Sequence, residues 1–157
     1  MEGRLRSEAG LKILIDADGC PVVDLTIGIA KENGLEVILV CDTAHEMSRE
    51  GARTITVGQG ADAVDYALVN QVAPGDIVVT QDFGLAAMVL AKRGLAIDQN
   101  GRAFTEDNMD QLLFARHLGQ KIRRAGGRTK GPRKRTKADD LSFKEGLSNL
   151  LGIERSN

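Results

Sequence analysis

Tryptophan is absent, and phenylalanine and tyrosine bring the aromatic content to only 3%. A core built from this chain must be aliphatic, and few rings remain on which nucleobases could stack. Cysteine is nearly as scarce. Cys20 and Cys41 make neither a disulfide framework nor a zinc spacing, so both are expected as free thiols. No apolar run approaches the roughly 20 residues of a membrane helix. Residues 1–10 form a polar leader of mixed charge, expected to be flexible. They lack the apolar centre of a secretory signal, which makes the cytoplasm the expected location and no membrane the expected partner. With 157 residues, 42% of them apolar, the chain has the size and composition of one domain.

Acids are missing from one stretch altogether. Lys121 to Lys137 holds nine Lys and Arg and no Asp or Glu. The remainder holds twelve basic and twenty-two acidic residues, a net of about −10, although the whole chain carries only −1. A basic run is commonly a solvated tail. This one is dense and lies between two expected helices, so a polyanion is the expected partner. The contacts would come from Lys121, Arg123, Arg124, Arg128, Lys130, Arg133, Lys134, Arg135 and Lys137. Without interleaved aromatics, little base recognition is expected.

The rest is organised around Ile13-Leu14-Ile15-Asp16-Ala17-Asp18-Gly19-Cys20-Pro21. An aliphatic run ends in two aspartates, a glycine and a proline, the pattern of a buried parallel strand, a tight turn and a helix start. Further strands are predicted over Leu35–Cys41, Arg53–Val57, Asp76–Thr80 and Gly94–Ile97. Helices are predicted over Pro21–Asn33, Ala61–Gln71, Gly84–Lys92, Asp107–Arg124 and Asp139–Leu151. Met109, Leu112, Leu113, Leu118 and Ile122 are expected on the apolar side of the fourth helix. Leu141, Phe143, Leu147, Leu150 and Leu151 are expected to dock the last. Alternating strands and helices predict an α/β domain of three layers around a parallel sheet of about five strands. The expected organisation is a leader over 1–10, the α/β domain over 11–124, and over 125–157 a basic arm and terminal helix packed on the same domain.

Acids recur where strands end: Asp16 and Asp18, Asp42, Asp62 and Asp65, Asp82, and Asp98. In a parallel sheet these positions face one edge, the ligand-binding edge of such folds. Converging carboxylates raise one another's pKa unless a cation lies among them, and carboxylates with water suit Mg²⁺ or Mn²⁺. Such an ion assists hydrolysis of a phosphodiester. Each acid also has an ordinary role open to it. Asp62 would cap a helix, Asp65 would be a solvated helix residue, and Asp42 and Asp98 would be turn residues. Cys20, beside a helix start, is either a nucleophile or a small buried turn residue, with His45 as its base only if the fold brings them together. His117 is expected to be structural or to contact phosphate. Gly58-Gln59-Gly60 is either an anion-binding loop or a simple turn.

Four blocks in order carry a family resemblance: Asp16-Ala17-Asp18-Gly19-Cys20-Pro21-Val22, Gly60 to Asn70, Asp76 to Ala86, and Arg123 to Pro132. Together they resemble the YaiI/YqxD family of bacterial proteins, over about Leu11 to Leu150. Gly19 departs from the alanine common there. That family is similar in fold to PIN-like nuclease domains, which use a cluster of acids with Mg²⁺ or Mn²⁺ and mostly cut RNA. The resemblance implies a metal-dependent ribonuclease with Asp16, Asp62, Asp65 and Asp82 as catalytic acids. Metal would be held by Asp16 and Asp82, and less securely by Asp18 and Asp98. Two other readings stay open. Asp16-Ala17-Asp18-Gly19 is similar to the opening motif of haloacid-dehalogenase-like phosphatases, although the lysine-bearing third motif is missing. A non-catalytic nucleic-acid binder on the same fold is the other.

Overall fold

The computed structural model describes residues 11–60, 62–127 and 133–156. The leader over 1–10, and Arg128 and Lys130 of the basic run, lie outside the described residues.

The aliphatic runs form the strands, in the order β1 (Lys12–Asp16), β2 (Glu36–Asp42), β3 (Arg53–Val57), β4 (Ile77–Val79), β5 (Leu95–Ile97) and β6 (Ala103–Phe104). The helices are α1 (Val23–Glu32), α2 (Ala63–Gln71), α3 (Phe83–Ala91), α4 (Glu106–Arg124) and α5 (Lys137–Ser156). The strands lie side by side as β3-β2-β1-β4-β5-β6. All neighbours are parallel except β5 and β6, which pair antiparallel through Ala96 with Phe104 and Ile97 with Ala103. The sheet therefore has one strand more than its aliphatic runs predict. At two residues β6 is too short to show a period.

Alternate residues of each strand serve opposite faces, which produces the three layers. Ile13, Ile15, Val37, Leu39 and Val79 pack with α1 and with Phe143, Leu147, Leu150 and Leu151 of α5. Leu14, Ile38, Val40, Val78 and Ala96 pack with Leu68 of α2, Leu85 and Val89 of α3, and Met109 of α4. Burying a side chain of this size stabilises by roughly 1.5–3 kcal/mol, so α5 is part of the core. Two helix faces depart from expectation. Leu141 is exposed on α5, and on α4 only Met109 is buried, whereas Leu113, Phe114, Leu118 and Ile122 face outward.

Two contacts fix how strands and helices meet the site. At the N-terminal edge of the sheet the Asp76 carboxylate, wholly buried, accepts from Lys12 Nζ (2.7 Å), Lys12 N (3.1 Å) and Ala73 N (2.8 Å). This ties the starts of β1 and β4 together and so sets the level of their far ends. On the other side Gly101, with φ +90°, lies against α5 so closely that a Cβ on Gly101 would meet the Ser142 carbonyl. A Cβ on Gly146 would likewise meet the Gly101 carbonyl. Among the described residues no helix is long and apolar enough to cross a membrane.

Candidate functional site

β1 and β4 are neighbours at the centre of the sheet, where successive strands begin to add on the opposite side. A crevice opens at the carboxyl ends of strands at such a reversal. Here it is a cleft of about 420 Å³, lined by Asp16, Asp18, Cys20, Thr80, Asp82 and Gln99 among others. Thr80, buried at the end of β4, donates from Oγ1 to Asp16 Oδ2 at 2.9 Å and accepts the Asp82 N–H at 3.0 Å. Asp82 Oδ1 in turn accepts the Leu85 N–H at 3.1 Å and caps α3. One hydroxyl thus couples the acid on β1 to the acid that starts α3. Phe83, packed edge-on against Phe104 with centroids 5.7 Å apart, adds an apolar wall.

The carboxyls here oppose one another's ionisation. Burial raises the pKa of Asp16; the Thr80 hydrogen bond counters this in part, and the charges of Asp82 and Asp18 add to the rise. Asp65, on the first turn of α2, is pushed up to about 6 by burial first, then by Asp82, Asp16 and Asp62. Acids from β1, α2 and the β4–α3 junction therefore lie within one field. Either a proton or a cation would relieve it. Among the described residues no group of three or more His, Cys, Asp or Glu side chains is arranged to hold a metal ion. Magnesium commonly takes only one or two carboxylates and completes its shell with water and substrate phosphate. Asp16 and Asp82 each bring a hard oxygen donor to this cleft, the number that so open a site would need.

The remaining predicted residues are placed as follows. Asp18 lies at the cleft mouth, with Oδ1 3.6 Å from His45 Nε2. His45 Nδ1 is 2.8 Å from Asp42 Oδ1. The Asp42 hydrogen bond, then the charges of Asp18 and Asp42, raise the His45 pKa. His45 is thus engaged with acids. Cys20 reaches the cleft, but burial raises its thiol pKa, the opposite of what a nucleophile at a helix start requires. Asp62 stands at the N-cap position of α2 with φ +63° but makes no side-chain capping bond, so the ordinary role open to it is not the one it fills. Asp98 Oδ1 accepts the N–H groups of Asn100 (2.9 Å) and Arg102 (3.0 Å) and organises the β5–β6 turn.

The sequence model described as "Uncharacterized BCR, YaiI/YqxD family" matches residues 14–152. This chain belongs to the YaiI/YqxD family. It is 67% identical over 141 residues to a UPF0178 protein of Exiguobacterium sibiricum, covering 90% of this chain and 96% of that one. A UPF0178 protein of Ruminiclostridium cellulolyticum is 51% identical over 137 residues, covering 87% and 90%. One of Alkaliphilus oremlandii is 51% identical over 142 residues, covering 90% and 91%. No solved structure matches the chain.

In this YaiI/YqxD-family chain two cleft residues escape sequence reasoning. Thr80 gives no signal beyond sitting at a strand end, yet it joins Asp16 to Asp82. Gln99, beside the expected Asp98, lines the cleft, and its Oε1 is buried with no hydrogen-bond partner among the described residues. The basic run divides by environment. Lys121, Arg123 and Arg124 are exposed on the last turn of α4, and Lys134 and Lys137 are exposed before and at the start of α5. Arg133 instead makes two hydrogen bonds to Asp139, whose pKa this holds down to about 2. Arg135 donates to Asp140 (2.8 Å), Asn100 Oδ1 (2.9 Å) and the Gln99 carbonyl (2.8 Å). Arg133, itself exposed, and Arg135 thus staple the start of α5 and the cleft wall.

Proposed function

We propose that this protein is a divalent-metal-dependent phosphodiesterase acting on RNA. The observation that carries the reading is the mutual field of Asp16, Asp65 and Asp82 at the carboxyl ends of β1 and β4, with Thr80 joining two of them. Mg²⁺ or Mn²⁺, held by Asp16 and Asp82 with Asp18 at the mouth, would neutralise the acids and offset charge on a bound phosphate. Asp65 is the proton carrier. With a pKa of about 6, its carboxylate can accept a proton from an attacking water near neutral pH and return it to a leaving oxygen. The Thr80 hydroxyl orients Asp16 and holds the Asp82 backbone, and Gln99 forms part of the cleft wall. The exposed cations between Lys121 and Lys137 supply the surface for the RNA backbone.

The test is cleavage of end-labelled single-stranded RNA with Mn²⁺ or Mg²⁺, alongside calorimetric Mn²⁺ titration. Asp16→Asn keeps an acceptor for Thr80, and Asp82→Asn keeps a helix cap, so both variants should fold. Each should lower cleavage by at least ~100-fold, and Asp16→Asn should abolish saturable Mn²⁺ binding. Full activity in both variants would sink the proposal. RNA binding without cleavage, indifferent to Mn²⁺ and to Asp16→Asn, would make the protein a non-catalytic binder.

A further inference from the structure

α4 has apolar residues on two faces, and only one face is used. Met109 and Leu112 pack on the sheet side. On the far side Phe114, Leu118 and Ile122, spaced four apart, make one ridge, and Leu113 lies on the flank between this ridge and Met109. Their exposures are 66%, 46%, 39% and 44%, and no other described element covers them. Isolated exposed leucines need no explanation, but a continuous ridge along a 19-residue helix does.

The charges of α4 indicate what covers it. Its first turn carries Glu106 and Asp107, with Asp110 following, and its last turn carries Lys121, Arg123 and Arg124. A helix acidic at one end and basic at the other complements itself when a second copy runs antiparallel. In the register about the helix midpoint Asp110 levels with the partner's Lys121 on the same flank of the ridge, and Asp107 levels with the partner's Arg124. A parallel pairing, or a shift by one turn, would lose these matches. A twofold contact of this kind repeats every pair twice, because the same patch serves both copies.

We propose that the outer face of α4 is a homodimer interface, two α4 helices packing antiparallel with Phe114 and Leu118 at the centre, and with Ile122 and the acid–base pairs towards both ends. Lys121 and Arg124 then face the partner, and the RNA-facing cations of each copy are those closer to α5. The inference stands independently of any catalytic activity.

Sedimentation of the full chain from roughly 1 to 100 μM, a range that brackets a modest interface, is the experiment. Wild type is expected as a dimer at the upper end. Phe114→Glu with Leu118→Glu should weaken association at least ~100-fold, since hot-spot apolar residues dominate such contacts. Because these positions are exposed, circular dichroism should be unchanged. Asp107→Lys with Asp110→Lys should weaken it about tenfold, and adding Lys121→Asp with Arg124→Asp should restore it, as opposed charges fix register. A monomer throughout the range overturns the proposal. So does a dimer indifferent to the Phe114/Leu118 change or one that the charge exchange fails to rescue. Wild type that is monomeric alone and shifts only when RNA is added assigns the ridge to nucleic acid, and the proposal falls.

Discussion

Asp65 is the side chain whose environment and chemistry are most at odds. Its carboxyl keeps a proton to about pH 6 in the folded protein, whereas an unfolded chain releases it near 3.9. Between those values the native state binds more protons, so this residue makes stability fall as pH rises from about 4 to 6. Asp65→Asn removes the conflict. It should raise the denaturation midpoint at pH 8 and change it little below pH 4, while abolishing the rise in metal-dependent cleavage rate that wild type should show below pH 6. Mg²⁺ at Asp16 and Asp82 should pull the wild-type Asp65 pKa down, which carboxyl carbon NMR with and without the ion would measure. Asp139 has the opposite sign. Its depressed pKa adds stability above about pH 4 that is lost as pH falls towards 2, and Arg133→Ala should remove the larger part of it, leaving what the Thr136 hydrogen bonds supply. What could be read from sequence at this scale was the recurrence of acids. Asp16 and Asp82 end strands whose aliphatic runs are plain, so their edge was predictable. Thr80 and Gln99 were not, because a buried hydroxyl or carboxamide has no pattern until its neighbours are placed.

Among the elements, α5 shows how local propensity and packing compete. Gly146 lies where a Cβ would meet the Gly101 carbonyl, and backbone cannot retreat as a flexible side chain can. Alanine in a helix gains roughly 1 kcal/mol over glycine, but overpacking at such a contact costs about 1–3 kcal/mol. Gly146→Ala should therefore lower the melting temperature. Gly152→Ala on the same helix, with nothing within 4 Å of the added carbon, should raise it slightly. Calorimetry on the two variants separates packing from propensity. Five of the six strands and the helices were legible, because short aliphatic runs alternate with longer amphipathic stretches. The inward side of α4 was not. Its apolar residues Met109, Leu112, Leu113, Phe114, Leu118 and Ile122 spread over more than one stripe, and periodicity alone cannot say which stripe meets the sheet.

For the molecule as a whole, the separation of charge would set how it meets the polyanion proposed as its partner. An acidic body repels the phosphate backbone, and the exposed cations before α5 must outweigh it locally. Lys134→Ala with Lys137→Ala should weaken RNA binding and flatten the dependence of log K on log salt by about 1–2, since each lost phosphate contact releases fewer counterions. Arg135→Ala should act differently. It frees the Gln99–Asn100 turn from α5, so it should lower thermal stability and cleavage more than it changes the salt slope. Filter binding across a salt series distinguishes the two variants.

The ribosome makes every strand of the sheet, and all the acids of the cleft, before it makes α5. Until Phe143 and Leu147 emerge, the face formed by Ile13, Ile15, Val37 and Leu39 is short of its second helix, and the Gln99 wall has no Arg135 to hold it. A nascent or prematurely terminated chain therefore carries the chemical groups without the scaffold that aligns them. If the proposed activity holds, cells are spared an unfinished phosphodiesterase tethered beside messenger RNA, because the cleft is braced only once α5 has emerged.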